Sequence, residues 1–117
     1  MTVVRAFDGQ AAEALAARYL ERRGVRVLER NYRCRAGEID LIGEDRESLV
    51  FFEVRLRRSQ RFGGAAASVN APKQARILRA ARHYLAGRAE RPCRFDVLVL
   101  DELDAERIEW LRDAFGE

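Results

Sequence analysis

The stretch RFDVLVL, Arg94 to Leu100, constrains the fold of this chain more than any other. Strand side chains alternate between two faces. Val97, Leu98, Val99 and Leu100 are apolar at every position, so both faces need cover, as in the buried central strand of a parallel or mixed sheet. The chain must therefore supply neighbouring strands and a layer on each side. Its 117 residues, 48% of them hydrophobic, are enough for one domain, 1–117, with a core that needs no staples.

The remaining periodicities supply those layers. Residues 8–23 carry Ala12, Leu15, Ala16, Tyr19 and Leu20 at helical spacing, with Asp8 as the expected cap and Gly24 as the stop. Three strands follow: VRVLERNYR from Val25, EIDLIGE from Glu38 and SLVFFEVRL from Ser48. The short polar link Glu44-Asp45-Arg46-Glu47 suits an antiparallel hairpin between the last two. SQRFGGAAAS reads as a loop. A second helix begins near Asn70-Ala71-Pro72 and runs to about residue 86, burying Ile77, Ala80, Ala81, Tyr84 and Leu85. RFDVLVL then joins parallel to the FFEVR strand through that helix. A short strand over residues 108–111 pairs back onto it. The expected order is α-β-β-β-α-β-β, a mixed α+β sheet of about five strands flanked by helices.

Charge narrows the partners. Of 22 basic residues only Lys73 is a lysine, a bias that a GC-rich genome explains as readily as function does. Position says more. RNYRCR, RLRRSQR and KQARILRAAR concentrate cations, while Asp101, Glu102, Asp104 and Glu106 gather toward the C-terminus. Segregated basic segments suit a polyanionic partner. Cys34 and Cys93 are isolated and support neither a zinc site nor a disulfide framework. The apolar runs are too short to span a bilayer and the N-terminus has no secretory pattern, so the expectation is a cytoplasmic protein without membrane contact.

The chemistry concentrates in two strands. In EIDLI, Glu38 and Asp40 are expected on one face and Ile39 and Leu41 on the other. In LVFFEVRLRR, Glu53, Arg55 and Arg57 share a face. If the two strands pair with their acidic faces together, Asp40 and Glu53 come close, and two close carboxylates favour a bound cation or a raised pKa. Two carboxylates completed by water and substrate phosphate suit Mg²⁺ or Mn²⁺, which would polarise a phosphoryl oxygen and activate water. The competing arrangement is a solvated sheet edge, with Asp40 paired to Arg55 or Glu53 to Arg57.

GQAAEALAARYLERRG, ERNYRCRAGEIDLI, LVFFEVRLR, FGGAAASV, PKQARILRAARHYL and RFDVLVL, in that order from Gly9 to about Leu100, resemble the YraN-type family of uncharacterised bacterial proteins. That family looks like a branch of the PD-(D/E)XK nuclease superfamily, with the restriction-endonuclease-like fold and a likeness to Holliday-junction resolvases. The resemblance implies an endonuclease hydrolysing DNA phosphodiesters, on branched or structured DNA. It implies Asp40 and Glu53 as motif acids and Mg²⁺ ligands, joined by the Val54 carbonyl. Glu13 would serve the metal site from the first helix, and Glu38 would bind a metal water or anchor the turn. One position departs from the pattern: the motif lysine is replaced by Arg55, giving EVR for EVK. Arginine cannot act as a base but can still donate to a scissile phosphate. Lys73 and Arg76 on the second helix, Arg57, and Arg61 in the RFGG loop are candidate nucleic-acid contacts. A nucleic-acid-binding module on a nuclease fold, without turnover, is the alternative that Arg55 leaves open. A homodimer would suit a junction enzyme.

Overall fold

The computed structural model describes residues 9–57, 69–101 and 104–116. Its elements are α1 (Gly9–Arg22), β1 (Arg26–Cys34), β2 (Gly37–Asp45), β3 (Ser48–Arg57), α2 (Ala71–Leu85), β4 (Cys93–Asp101) and β5 (Asp104–Phe115). The expected order α-β-β-β-α-β-β is the observed one, and it gives a restriction-endonuclease-like arrangement. The five strands lie in the order β1-β2-β3-β4-β5. Only β3 and β4 run parallel, joined through α2, and the other neighbours are antiparallel.

The doubly apolar strand does what its composition requires. Val97 and Val99 of β4 face a core built on α2, with Phe51, Ile77, Ala80, Ala81 and Tyr84. Leu98 and Leu100 face the opposite core, built on α1, with Ala12, Ala16, Leu20, Val50 and Phe52. Ala12, Ala16 and Ala17 on α1 bury to 3% exposure or less, so this helix sits close against the sheet. It ends at Gly24, whose φ of +89° is the left-handed conformation that glycine adopts without strain. The Asp8 cap lies outside the described residues. At α2 the Asn70 side chain accepts from the Lys73 N–H at 2.9 Å, and Pro72 sits in the first turn, as the Asn-Ala-Pro signal predicts.

Two expectations need correction. The last strand is not confined to residues 108–111 but spans Asp104–Phe115. Its register shifts between Phe95 and Val97 of the partner strand, and Asp113 there has a φ of +54°. A bulge of this kind lets a charged edge strand continue past the point where simple alternation fails. Fully buried Asp96 holds that irregular segment, accepting the Asp113 N–H and the Trp110 indole N–H, each at 2.8 Å, and the Arg94 guanidinium. Asp96 thus anchors the start of β4 through these contacts.

The second correction concerns β2. Ile39 and Leu41 do not share a face: Ile39 packs in the α2 core and Leu41 in the α1 core. The strand turns over at Asp40. Its β3 ladder runs from Asp45↔Ser48 to Leu41↔Phe52 and stops there. On the β1 side, Asn31, flanked by the pairs Arg30↔Leu41 and Tyr32↔Ile39, has a φ of +53°. Period-2 alternation holds only while the backbone stays extended, and it does not at this point. No helix among the described residues is long and apolar enough to cross a membrane.

Candidate active site where two strands part

In the β2–β3 register, Asp40 and Glu53 would form the next pair after Leu41↔Phe52. The strands part there, and the backbone N–H of Val54 turns to the Asp40 carboxylate, donating to Oδ2 at 2.8 Å. Asp40 is thereby fixed by the neighbouring strand's main chain. The parting opens a cleft of about 370 Å³ lined by Ala12, Glu13, Asp40, Glu53, Val54, Arg55, Leu56 and Lys73. Helix α1 contributes Ala12 and Glu13, α2 contributes Lys73, and the two strands contribute the rest.

Glu53 is the most confined of the charged groups, only 4% exposed. Its Oε2 lies 2.9 Å from Lys73 Nζ. The Asn70 cap starts α2 where Lys73 can reach across the top of β3. Burial and the adjacent Asp40 carboxylate push the Glu53 pKa up to about 7, against the downward pull of Lys73. Glu13 is also raised to about 7, first by burial and then by Asp40, with which it shares a hydrogen bond, while a hydrogen bond from Asn31 lowers it. Three carboxylates thus press on one another around Asp40. This crowding has two consequences: protons are retained near neutral pH, and added positive charge is favoured.

The residues expected in the site divide clearly. Glu13, Asp40, Glu53, Val54, Arg55 and Lys73 all line the cleft. Arg57 does not. Its guanidinium, 9% exposed, is engaged by Asp101 at 4.0 Å and Glu109 at 3.3 Å on β4 and β5. Glu38 is paired across the β1–β2 hairpin with Arg33 at 3.3 Å. Arg76 is exposed, and its main chain packs against the same hairpin. Arg61 lies outside the described residues. Neither competing ion pair forms: Glu53 takes Lys73, and Asp40 takes a backbone N–H. His83 shares a 2.6 Å hydrogen bond with the Tyr32 hydroxyl.

Sequence reasoning missed Asn31. Asparagine is depleted in strands yet tolerant of the left-handed conformation. An asparagine inside the otherwise strand-like VRVLERNYR was the available signal. Among the described residues no three His, Cys, Asp or Glu side chains form a ready-made cage for a metal ion.

Residues 12–100 match the uncharacterised protein family UPF0102. A UPF0102 protein of Nitrosococcus oceani is 58% identical over 111 residues, covering 92% of this chain and 90% of the relative. UPF0102 protein NE0719 of Nitrosomonas europaea is 53% identical over 110 residues, covering 93% of each. UPF0102 protein RSc3265 of Ralstonia nicotianae is 56% identical over 117 residues, covering 95% of this chain and 88% of the relative. Similarity of this depth, carried along nearly the whole sequence, means that the chain belongs to the UPF0102 family, a bacterial family structurally related to the PD-(D/E)XK nucleases.

Proposed function

We propose that the cleft is the site of a metal-dependent endonuclease that hydrolyses DNA phosphodiesters. The observation that carries this reading is the meeting of Asp40, Glu53, Arg55 and Lys73 in one cleft where a strand ladder opens. Hard, anionic oxygen donors suit Mg²⁺ or Mn²⁺. Mg²⁺ is commonly held by one or two carboxylates with water and substrate phosphate, so a site without a three-residue cage still fits it. Asp40, Glu53 and the Val54 carbonyl would hold the ion, which when bound polarises a phosphoryl oxygen and lowers the pKa of its water.

The chain's own residues have distinct tasks in this reading. The Val54 N–H keeps the Asp40 carboxylate from swinging away. Lys73 balances Glu53 and, once Glu53 is otherwise neutralised, presents an ammonium to phosphate. Arg55 donates hydrogen bonds to the non-bridging oxygens, with no part in proton transfer. Glu13, with a pKa near 7, can accept or return a proton at neutral pH.

The replacement of a motif lysine by Arg55, with the remaining lysine already paired to Glu53, favours a second reading. This is a protein that binds nucleic acid through the same cleft and turns it over slowly or not at all. One experiment separates the two. Cleavage of branched, flapped, single-stranded and duplex DNA is measured in Mg²⁺ and Mn²⁺ for wild type, Asp40→Asn and Glu53→Gln. Loss of about 100-fold or more in both variants is expected, on the scale of removing a group that stabilises the transition state. Equal rates in all three would place the activity elsewhere, and binding without cleavage would establish the second reading. A large rate gain in Arg55→Lys would mark the wild-type site as a weakened one.

A further inference from the structure

We propose that a second nucleic-acid contact lies at the opposite end of the sheet, in an arginine-lined cavity at the β2–β3 turn. The inference rests on the nucleic-acid reading of the cleft for the identity of its ligand, and on separate residues for everything else. The cavity, about 790 Å³, is lined by Arg23, Arg46, Arg94, Arg112, Trp110 and the turn residues Asp45 to Ser48. Its arginines come from four separate places in the chain: the end of α1, the turn, the start of β4 and the bulged part of β5.

Their chemistry differs from that of the other surface arginines. Arg94 is spent on structure, bonded to Asp45 at 2.8 Å and to Asp96 at 3.1 Å. Arg23, Arg46 and Arg112 have no carboxylate partner among the described residues. Two of them are held by aromatic rings instead. The Arg112 guanidinium lies 3.8 Å over Trp110, and that of Arg23 lies 3.8 Å over Tyr19. The two rings touch edge to face, with centroids 6.3 Å apart. Stacking fixes a guanidinium plane while leaving its in-plane N–H donors free, the geometry that phosphate oxygens use. Arg46 projects from the turn on a backbone with φ +58°. Asp45 is neutralised by Arg94, which leaves the exposed Glu47 as the one opposing acid on the rim among the described residues.

The position suits a continuous polyanion better than a small one. From Asp40 in the cleft to Asp45 at the cavity, β2 advances about 17 Å at roughly 3.4 Å per residue. That is about five nucleotide steps along a duplex. A backbone entering the cleft can reach the arginine cavity about half a helical turn away. The cavity would thus bind the flanking arm of the DNA whose phosphate lies at Asp40 and Glu53.

The test is anisotropy binding of the full chain to a hairpin duplex of about 3 base pairs, too short to span the distance from cleft to cavity, and to a duplex of about 24, across a salt series without divalent cation. Wild type is compared with the triple variant Arg23→Gln, Arg46→Asn and Arg112→Gln. Asparagine at 46 keeps the left-handed backbone accessible, and thermal melts confirm that the variant is folded. For the long duplex, the log–log salt slope should fall by about 2 to 3, with affinity about tenfold or more weaker. For the short duplex, which fills only the cleft, neither should change. An unchanged long-duplex slope, or equal losses on both duplexes, would overturn the second contact. If instead the variant behaves as expected while wild type never cleaves DNA, the catalytic reading fails and the second contact stands.

Discussion

Glu53 and Lys73 pose the sharpest question at the scale of single residues, because one is buried and the other half-exposed. The carboxylate is only 4% exposed, so water solvates it little and its charged form depends on the ammonium 2.9 Å away. Lys73→Met should therefore raise the Glu53 pKa further above about 7, since Lys73 is the group that lowers it. The cost to stability should depend on pH in a definite direction. Near pH 5 Glu53 is protonated with or without Lys73, so the variant should melt close to wild type. Near pH 8.5 the wild-type pair is charged and the variant must bury a lone carboxylate or hold its proton. The difference there should be about 1–2 kcal/mol, below the value for a fully buried pair because Lys73 is 35% exposed. Thermal melts at the two pH values test this, and a difference that is constant across them would show that Lys73 acts through packing alone. The acids were legible in the sequence because carboxylates interrupting apolar strands are costly unless partnered. The partner was not. Arg55 and Arg57 stood nearer to Glu53 in the chain, and only the crossover of α2 over β3 brings Lys73 closer.

At the scale of elements, the site depends on how α2 and the β1–β2 hairpin meet. A Cβ placed on Gly37 would lie 2.8 Å from the Arg76 carbonyl oxygen, which is backbone and cannot rotate away. Gly37→Ala should push the hairpin from α2 and destabilise the fold by about 1–3 kcal/mol, the usual cost of overpacking. Asn70→Ala removes the cap at the other side of the same junction and should cost about 1 kcal/mol. The two variants also differ in reach. The cap bonds the Lys73 N–H, so its loss should loosen Lys73 and shift the Glu53 side-chain resonances in an NMR spectrum. A Tm unchanged in Gly37→Ala would mean that the contact is not tight in solution. The hairpin, the parallel crossover and both helices could be read beforehand, because each rests on a local signal: a polar turn, a doubly apolar run, a capped stripe. The full length of β5 could not. Its continuation past Leu111 relies on buried Asp96, which binds Trp110 and Asp113 from another strand. The twist of β2 at Asp40 was equally hidden, since it accompanies the left-handed backbone of Asn31 on the adjacent strand.

At the scale of the whole molecule, the crowded cleft sets the direction in which stability responds to pH. Glu13 and Glu53 both titrate near 7 in the folded chain, against an ordinary value of 4.5. Between those values the folded state binds more protons than the unfolded state, so stability falls as pH rises. The stabilisation that comes from the raised values is complete below pH 4.5 and is lost as pH passes through about 7. In the absence of divalent cation, Tm should therefore drop by several degrees or more between pH 5 and pH 8. Glu53→Gln removes one of the two groups and relieves the other's neighbour, so its Tm should change less over the same range and exceed that of wild type at pH 8. Divalent cation should act in the opposite sense to rising pH if Asp40 and Glu53 bind it, because a ligand that prefers the folded state stabilises it. Millimolar Mg²⁺ or Mn²⁺ should then raise the wild-type Tm more at pH 8 than at pH 5, where protons compete for Glu53, and should have little effect on Glu53→Gln. A cation shift of equal size at both pH values, or one retained in the variant, would place the binding outside this cleft. The measurement needs no nucleic acid and no turnover, so it tests the carboxylate cluster separately from the reaction proposed for it.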